Sequence, residues 1–135
     1  MLLCGIAVAL TVAGCGGGAR AADGALVGIT ERDFHIAESV RRVHAGKVTL
    51  SIRNAGPDEH ELIVAPERPG GLPLRSDGFT INEAAIESSE PGSVEPQQPH
   101  HTELLDLRLK PGRYVLFCNM EGHYMAGMHT VLVVR

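Results

Sequence analysis

Residues 47–53, Lys-Val-Thr-Leu-Ser-Ile-Arg, alternate polar and apolar one by one. That is the period of a strand with one buried face. Val48, Leu50 and Ile52 fall on that face; Lys47, Thr49, Ser51 and Arg53 fall on the other. Asn54-Ala-Gly-Pro-Asp58 follows and carries strong turn chemistry. Similar short β-branched or alternating segments predict strands over residues 25–30, 61–65, 102–109, 113–118 and 129–135. A weaker, broken one is predicted over 34–43, and Lys110-Pro-Gly-Arg113 reads as a turn. Many short strands bounded by Gly and Pro turns predict an all-β fold, a sandwich or a barrel.

Between residues 66 and 99 the pattern lapses. Six of the eight prolines fall there (Pro66, Pro69, Pro73, Pro91, Pro96 and Pro99), a density that argues against any central strand. Residues 81–87 predict about two helical turns, with Thr80 as N-cap and Glu83 at the capping-box position. The stretch reads as one long connection across the sandwich with a single short helix. Its length makes it a candidate functional loop.

Composition narrows the picture. The 135 residues suffice for one domain with a sizeable core. Tryptophan is absent and other aromatics are few, so the core is expected to be aliphatic. A net charge of -4 argues against nucleic acid as a partner. From Asp58 to Asp106 there are eleven acidic residues and two basic ones, Arg68 and Arg75. The stretch reads either as a solvated acidic surface or as a patch that steers a basic partner.

The first residues read as a targeting segment. The apolar run over residues 2–12 is too short to span a bilayer as a helix, which takes roughly 20 residues. It ends in Val12-Ala13-Gly14-Cys15, which resembles a bacterial lipobox, although no Lys or Arg precedes the run. The resemblance implies a signal peptide over residues 1–14 and lipidation of Cys15. The alternative is an ordinary secretory signal. Residues 15–24, rich in Gly and Ala, read as a flexible tether before a domain over 25–135. The protein is therefore expected outside the cytoplasm, in the periplasm or on the outer face of the membrane, held by the lipid at Cys15. With Cys4 inside the signal run and Cys15 lipidated, Cys118 is the one thiol of the mature domain. It has no disulfide partner there, so it is either an inert core residue or a ligand.

The residues around Cys118 favour a ligand. Cys118-Asn-Met-Glu-Gly-His123-Tyr-Met-Ala-Gly-Met128 places a thiol, an imidazole and a thioether in one loop between two predicted strands. Gly122 and Gly127 let its backbone bend tightly. His60 begins a strand elsewhere and is the candidate second imidazole; His35, His44, His100, His101 and His129 are its rivals. His100 and His101 are expected in solvent, and His129 on the other face of its strand. Met120 and Met125 are expected to pack or to line the rim. Two histidines, one cysteine and a weak methionine make the donor set of a blue-copper electron-transfer site. The candidate ligands of one copper ion are thus His60, Cys118, His123 and Met128.

The spacing Cys-x4-His-x4-Met, the Asn54-Ala-Gly turn before His60 and Leu109-Lys-Pro-Gly-Arg-Tyr114 before Cys118 resemble the cupredoxin family. The spacing is closer to rusticyanin and sulfocyanin than to plastocyanin. The resemblance covers residues 24–135 and implies a Greek-key β-sandwich with copper at one end. It also implies a non-enzymatic carrier, expected to be monomeric, that passes single electrons between redox proteins such as a cytochrome and an oxidase or reductase. Many members carry a small polar residue after the first histidine, where this chain has Glu61; Asn119 is the candidate to brace the thiolate instead. The rival function is a copper carrier or chaperone that delivers Cu(I), with Met120, Met125, His100 and His101 as further donors. A multicopper enzyme needs more histidine clusters, and a binuclear centre needs a second loop cysteine; the chain has neither.

Overall fold

The computed structural model describes residues 24–135. The expected signal peptide over residues 1–14, Cys15 and the expected tether up to residue 23 lie outside the described residues.

Among the described residues there are nine strands: β1 (Ala25–Arg32), β2 (His35–Glu38), β3 (Arg42–Val43), β4 (Gly46–Asn54), β5 (His60–Pro66), β6 (Gly92–Gln97), β7 (Thr102–Leu109), β8 (Gly112–Phe117) and β9 (His129–Val134). They form two sheets, in the orders β2-β1-β4-β7 and β3-β9-β8-β5-β6. The chain passes repeatedly from one sheet to the other, so β1 lies parallel to β4 and β3 parallel to β9. The result is the expected Greek-key β-sandwich.

The interior follows the alternation. Val48, Leu50 and Ile52 of β4 are fully buried and belong to one cluster with Val27 and Ile29 of β1 and Leu62, Val64, Leu116 and Leu132 of the other sheet. Burial of such aliphatic side chains, at roughly 1.5–3 kcal/mol each, is the main force holding the two sheets together. Strands β5 and β8 do not alternate, because both of their faces are covered. Ile63, Ala65, Val115 and Phe117 form a second cluster with Leu72, Ile81 and Ile86 of the long connection.

That connection departs from expectation in two ways. Residues 81–87 form no α-helix: two 3-10 turns, Glu83–Ala85 and Glu87–Ser89, stand there, and the side chain of Thr80 bonds Asp77 instead of capping. Residues 92–97 form β6, where the proline density predicts a loop. Pro96 is tolerated because β6 is the edge of its sheet, where one side of the backbone needs no ladder partner. The broken strand over 34–43 proves to be two strands in different sheets, with Phe34 in the turn before the first.

Candidate metal centre

Two adjacent strands of one sheet carry the anchors. Ile63 of β5 pairs with Phe117 of β8. This register brings Cys118, one residue beyond β8, alongside the start of β5, where His60 stands. The β8–β9 loop then closes on itself. The Cys118 N–H donates to the Met128 carbonyl at 3.1 Å, and the Met128 N–H donates to the His123 carbonyl at 2.9 Å. Gly122 (φ 79°) and Gly127 (φ 105°) adopt the left-handed conformation the tight loop requires.

His60, Cys118 and His123 come together: one donor atom from each lies within 4.8 Å of the others. Cys118 Sγ is 3.5 Å from His123 Nδ1, and the two imidazole centroids are 5.2 Å apart. His60, Cys118 and Met128 are fully buried, whereas His123 is half-buried and reaches the surface. Of the rival histidines, His35, His44, His100, His101 and His129 are all exposed. His129 lies outside the cluster with its ring 4.9 Å from that of Tyr124.

Burial dominates the local electrostatics. Burial pushes the Cys118 thiol up to about 11, while the backbone N–H groups of Glu61 and Met120 pull the other way. A coordinated metal ion deprotonates such a thiol outright. Burial, then repulsion from His123, holds the His60 imidazole below its usual range, so the ring is a neutral base. His60 Nε2 lies 3.2 Å from Asp33 Oδ1, while its Nδ1 is buried with no hydrogen-bond partner. An orphaned buried ring nitrogen is costly unless a ligand completes it. Together with the thiol, the second imidazole and the buried thioether of the loop, it gives the donor set of a type 1 copper centre.

At position 61 the backbone N–H, rather than a small polar side chain, favours the thiolate of Cys118. Asn119 does not take that role. Its side chain accepts from the Ile81 N–H (2.6 Å) and donates to the Ile81 carbonyl (3.1 Å) and to Glu83 Oε1 (2.6 Å), tying the metal loop to the long connection.

Three residues near the site went unnoticed in the sequence. Phe34 places its ring 5.3 Å from that of His123, edge to face. Asp33, beside it, holds His60. Glu31 is fully buried with both carboxyl oxygens unpaired, and burial and the nearby Glu61 push it up to about 8. A signal for Glu31 was present: it shares the inward parity of Val27 and Ile29 on β1. For Asp33 and Phe34 there was none, because only the folded turn brings them to the histidines.

The fold is that of the cupredoxins. No protein-family model and no curated protein matches the chain in sequence. Among solved structures it is similar to dithionite-reduced auracyanin from the photosynthetic bacterium Roseiflexus castenholzii, with 18% identity over 86% of this chain and 99% of that one and a TM-score of 0.63. It is also similar to auracyanin A, a "blue" copper protein from the green thermophilic photosynthetic bacterium Chloroflexus aurantiacus, with 18% identity over 83% and 99% and a TM-score of 0.61. Rusticyanin from Thiobacillus ferrooxidans follows with 12% identity over 85% and 79% and a TM-score of 0.57.

Proposed function

We propose that this protein is a mononuclear blue-copper electron carrier and not an enzyme. The observation that carries this reading is the convergence of His60, whose buried Nδ1 has no hydrogen-bond partner, with the Cys118 thiol and the His123 ring. When bound, copper supplies a one-electron Cu(II)/Cu(I) couple. His60 and Cys118 hold their positions because each sits at the end of a strand in a packed sheet. A donor set fixed in this way keeps its shape when an electron arrives or leaves. Met128, buried at the base of the loop, would supply the fourth and weakest donor. His123 is the member with solvent access, and the exposed Phe34 and Met125 give its surroundings an apolar surface on which a redox protein docks.

Delivery of Cu(I) is the competing reading. It calls for an open site, whereas two of the three clustered donors here are fully buried and the other histidines stay outside the cluster. The cellular setting belongs to the same proposal: an exported protein, monomeric, anchored through Cys15, passing electrons between redox proteins such as a cytochrome and an oxidase or reductase.

The test is the visible spectrum of the purified protein after addition of Cu(II) and then ascorbate. An intense thiolate-to-copper band that bleaches on reduction and returns on oxidation is expected. Cys118→Ala abolishes the band, and Met128→Leu keeps it while shifting the reduction potential. A blue Cys118→Ala protein, or a wild type that binds Cu(I) tightly with no such band, defeats the reading.

A further inference from the structure

Strands β1 and β2 are joined by a two-residue turn, Asp33-Phe34, since Arg32 pairs directly with His35. Phe34 stands in the left-handed region (φ 62°), which is uncommon for a bulky residue. Such strain persists where surrounding contacts enforce it. Here both residues of the turn touch an imidazole of the metal centre: Asp33 Oδ1 lies 3.2 Å from His60 Nε2, and the Phe34 ring meets the His123 ring edge to face.

The Asp33–His60 pair is enclosed on a further side by Gly56. A Cβ on that residue would lie 2.8 Å from Asp33 Oδ1 and 2.9 Å from His60 Nε2, so the backbone rests on the hydrogen bond itself. Gly56 is held there by Asn54, whose Oδ1 accepts the Gly56 N–H at 3.0 Å while its Nδ2 donates to the carbonyls of Asp58 and Gln97. The chain thus gives buried backbone and a buried Asn to the protection of one carboxylate–imidazole contact.

We propose that Asp33 is the positioning residue of the metal centre: its carboxylate accepts the Nε2 proton of His60, fixing the tautomer and ring angle that turn Nδ1 toward the metal, and its charge favours the oxidised, more positive state of the site. The inference rests on the copper reading for its redox part; its tautomer part concerns the metal-free protein alone. A carboxylate behind a ligating histidine sets the ring's tautomer and raises its basicity, and loss of such a partner lowers metal affinity by about 10–100-fold. Because Asp33 is partly exposed on a surface turn, its replacement leaves the core intact.

Nitrogen-15 NMR of the metal-free protein reads the His60 tautomer directly. Wild type is expected to show a single form protonated at Nε2. Asp33→Ala is expected to give a mixture of tautomers, and Asp33→Asn to restore the single form, because its side-chain oxygen still accepts the proton. In the copper-loaded proteins, both variants are expected to keep the thiolate band and to have reduction potentials above wild type. Asp33→Ala is also expected to bind Cu(II) about 10–100-fold more weakly. Gly56→Ala, which leaves Asp33 in place but wedges the pair apart, is expected to reproduce the mixed tautomers. An unchanged His60 tautomer in Asp33→Ala overturns the proposal, as does an unchanged potential in a blue Asp33→Asn protein. Absence of the copper band in wild type overturns the copper reading and the redox part with it, while the tautomer measurement still decides whether Asp33 positions His60.

Discussion

Glu31 shows how far a single residue can depart from the rules of its strand. It faces inward with Val27 and Ile29, yet neither carboxyl oxygen has a partner. A buried carboxyl avoids the cost of an unpaired charge by holding its proton, in keeping with its rise to about 8. The effect on stability has a definite sign. Below the unfolded value of 4.5 the group is protonated in both states and costs nothing of this kind. From there up to about 8 the unfolded chain releases the proton and the folded chain keeps it, so stability falls as pH rises, by up to about 1.4 kcal/mol per unit. Glu31→Gln removes that slope. Urea unfolding of the metal-free proteins at pH 4.5 and pH 8 is therefore expected to show the variant gaining on wild type as pH rises; parallel curves would contradict the account.

At the scale of elements, two strands and one loop make the site. The pairing of β5 with β8 fixes His60 against Cys118, and Asn119 then fastens the loop to the covering connection. Asn119→Ala leaves the buried Ile81 N–H without its side-chain partner, and each such loss costs about 1–3 kcal/mol. Denaturant melts should show a loss of about 2 kcal/mol or more, with the copper band retained because Asn119 is not a donor. The same elements show what was legible in the sequence. Strand β4 was plain because one of its faces is solvated, so its apolar residues alternate. The Cys118–Met128 loop was plain because its donors are adjacent in sequence. Strand β6 was hidden: its Gly, Pro and Gln residues carry little strand propensity, and its place at an edge is a tertiary fact. The predicted helix failed for a related reason. Ile81 and Ile86 are spaced by the need to plug the face of β5 and β8, and 3-10 turns meet that need in fewer residues.

The whole molecule joins these parts through the metal. His60 opens one strand, while Cys118 and His123 lie more than fifty residues further along the chain. An ion bound to all three favours the folded chain over the unfolded one, in which the donors are dispersed. Stabilisation by a ligand specific to the native state reaches about 4 kcal/mol at a thousandfold excess over its dissociation constant. Removal of copper by a chelator is thus expected to lower the midpoint of thermal unfolding, and Cys118→Ala should erase the difference between treated and untreated protein. Equal midpoints for the loaded and stripped wild type would show that the sandwich does not depend on its ion. Most of the sandwich was legible at this scale, down to its Greek-key class. The contribution of the β1–β2 turn was not, because Asp33 and His60 are separated by 27 positions and meet only once both sheets are packed.

The edge-to-face packing of Phe34 on His123 bears on time as well as geometry. With His60, Cys118 and Met128 sealed from solvent, an arriving ion meets His123 first and reaches the thiol by passing it. To swing aside, a ring packed on an aromatic neighbour must give up a contact worth about 0.5–1.5 kcal/mol. The half-buried imidazole is then a door that Phe34 helps to keep shut, and copper is expected to enter and leave the site more slowly than electrons do.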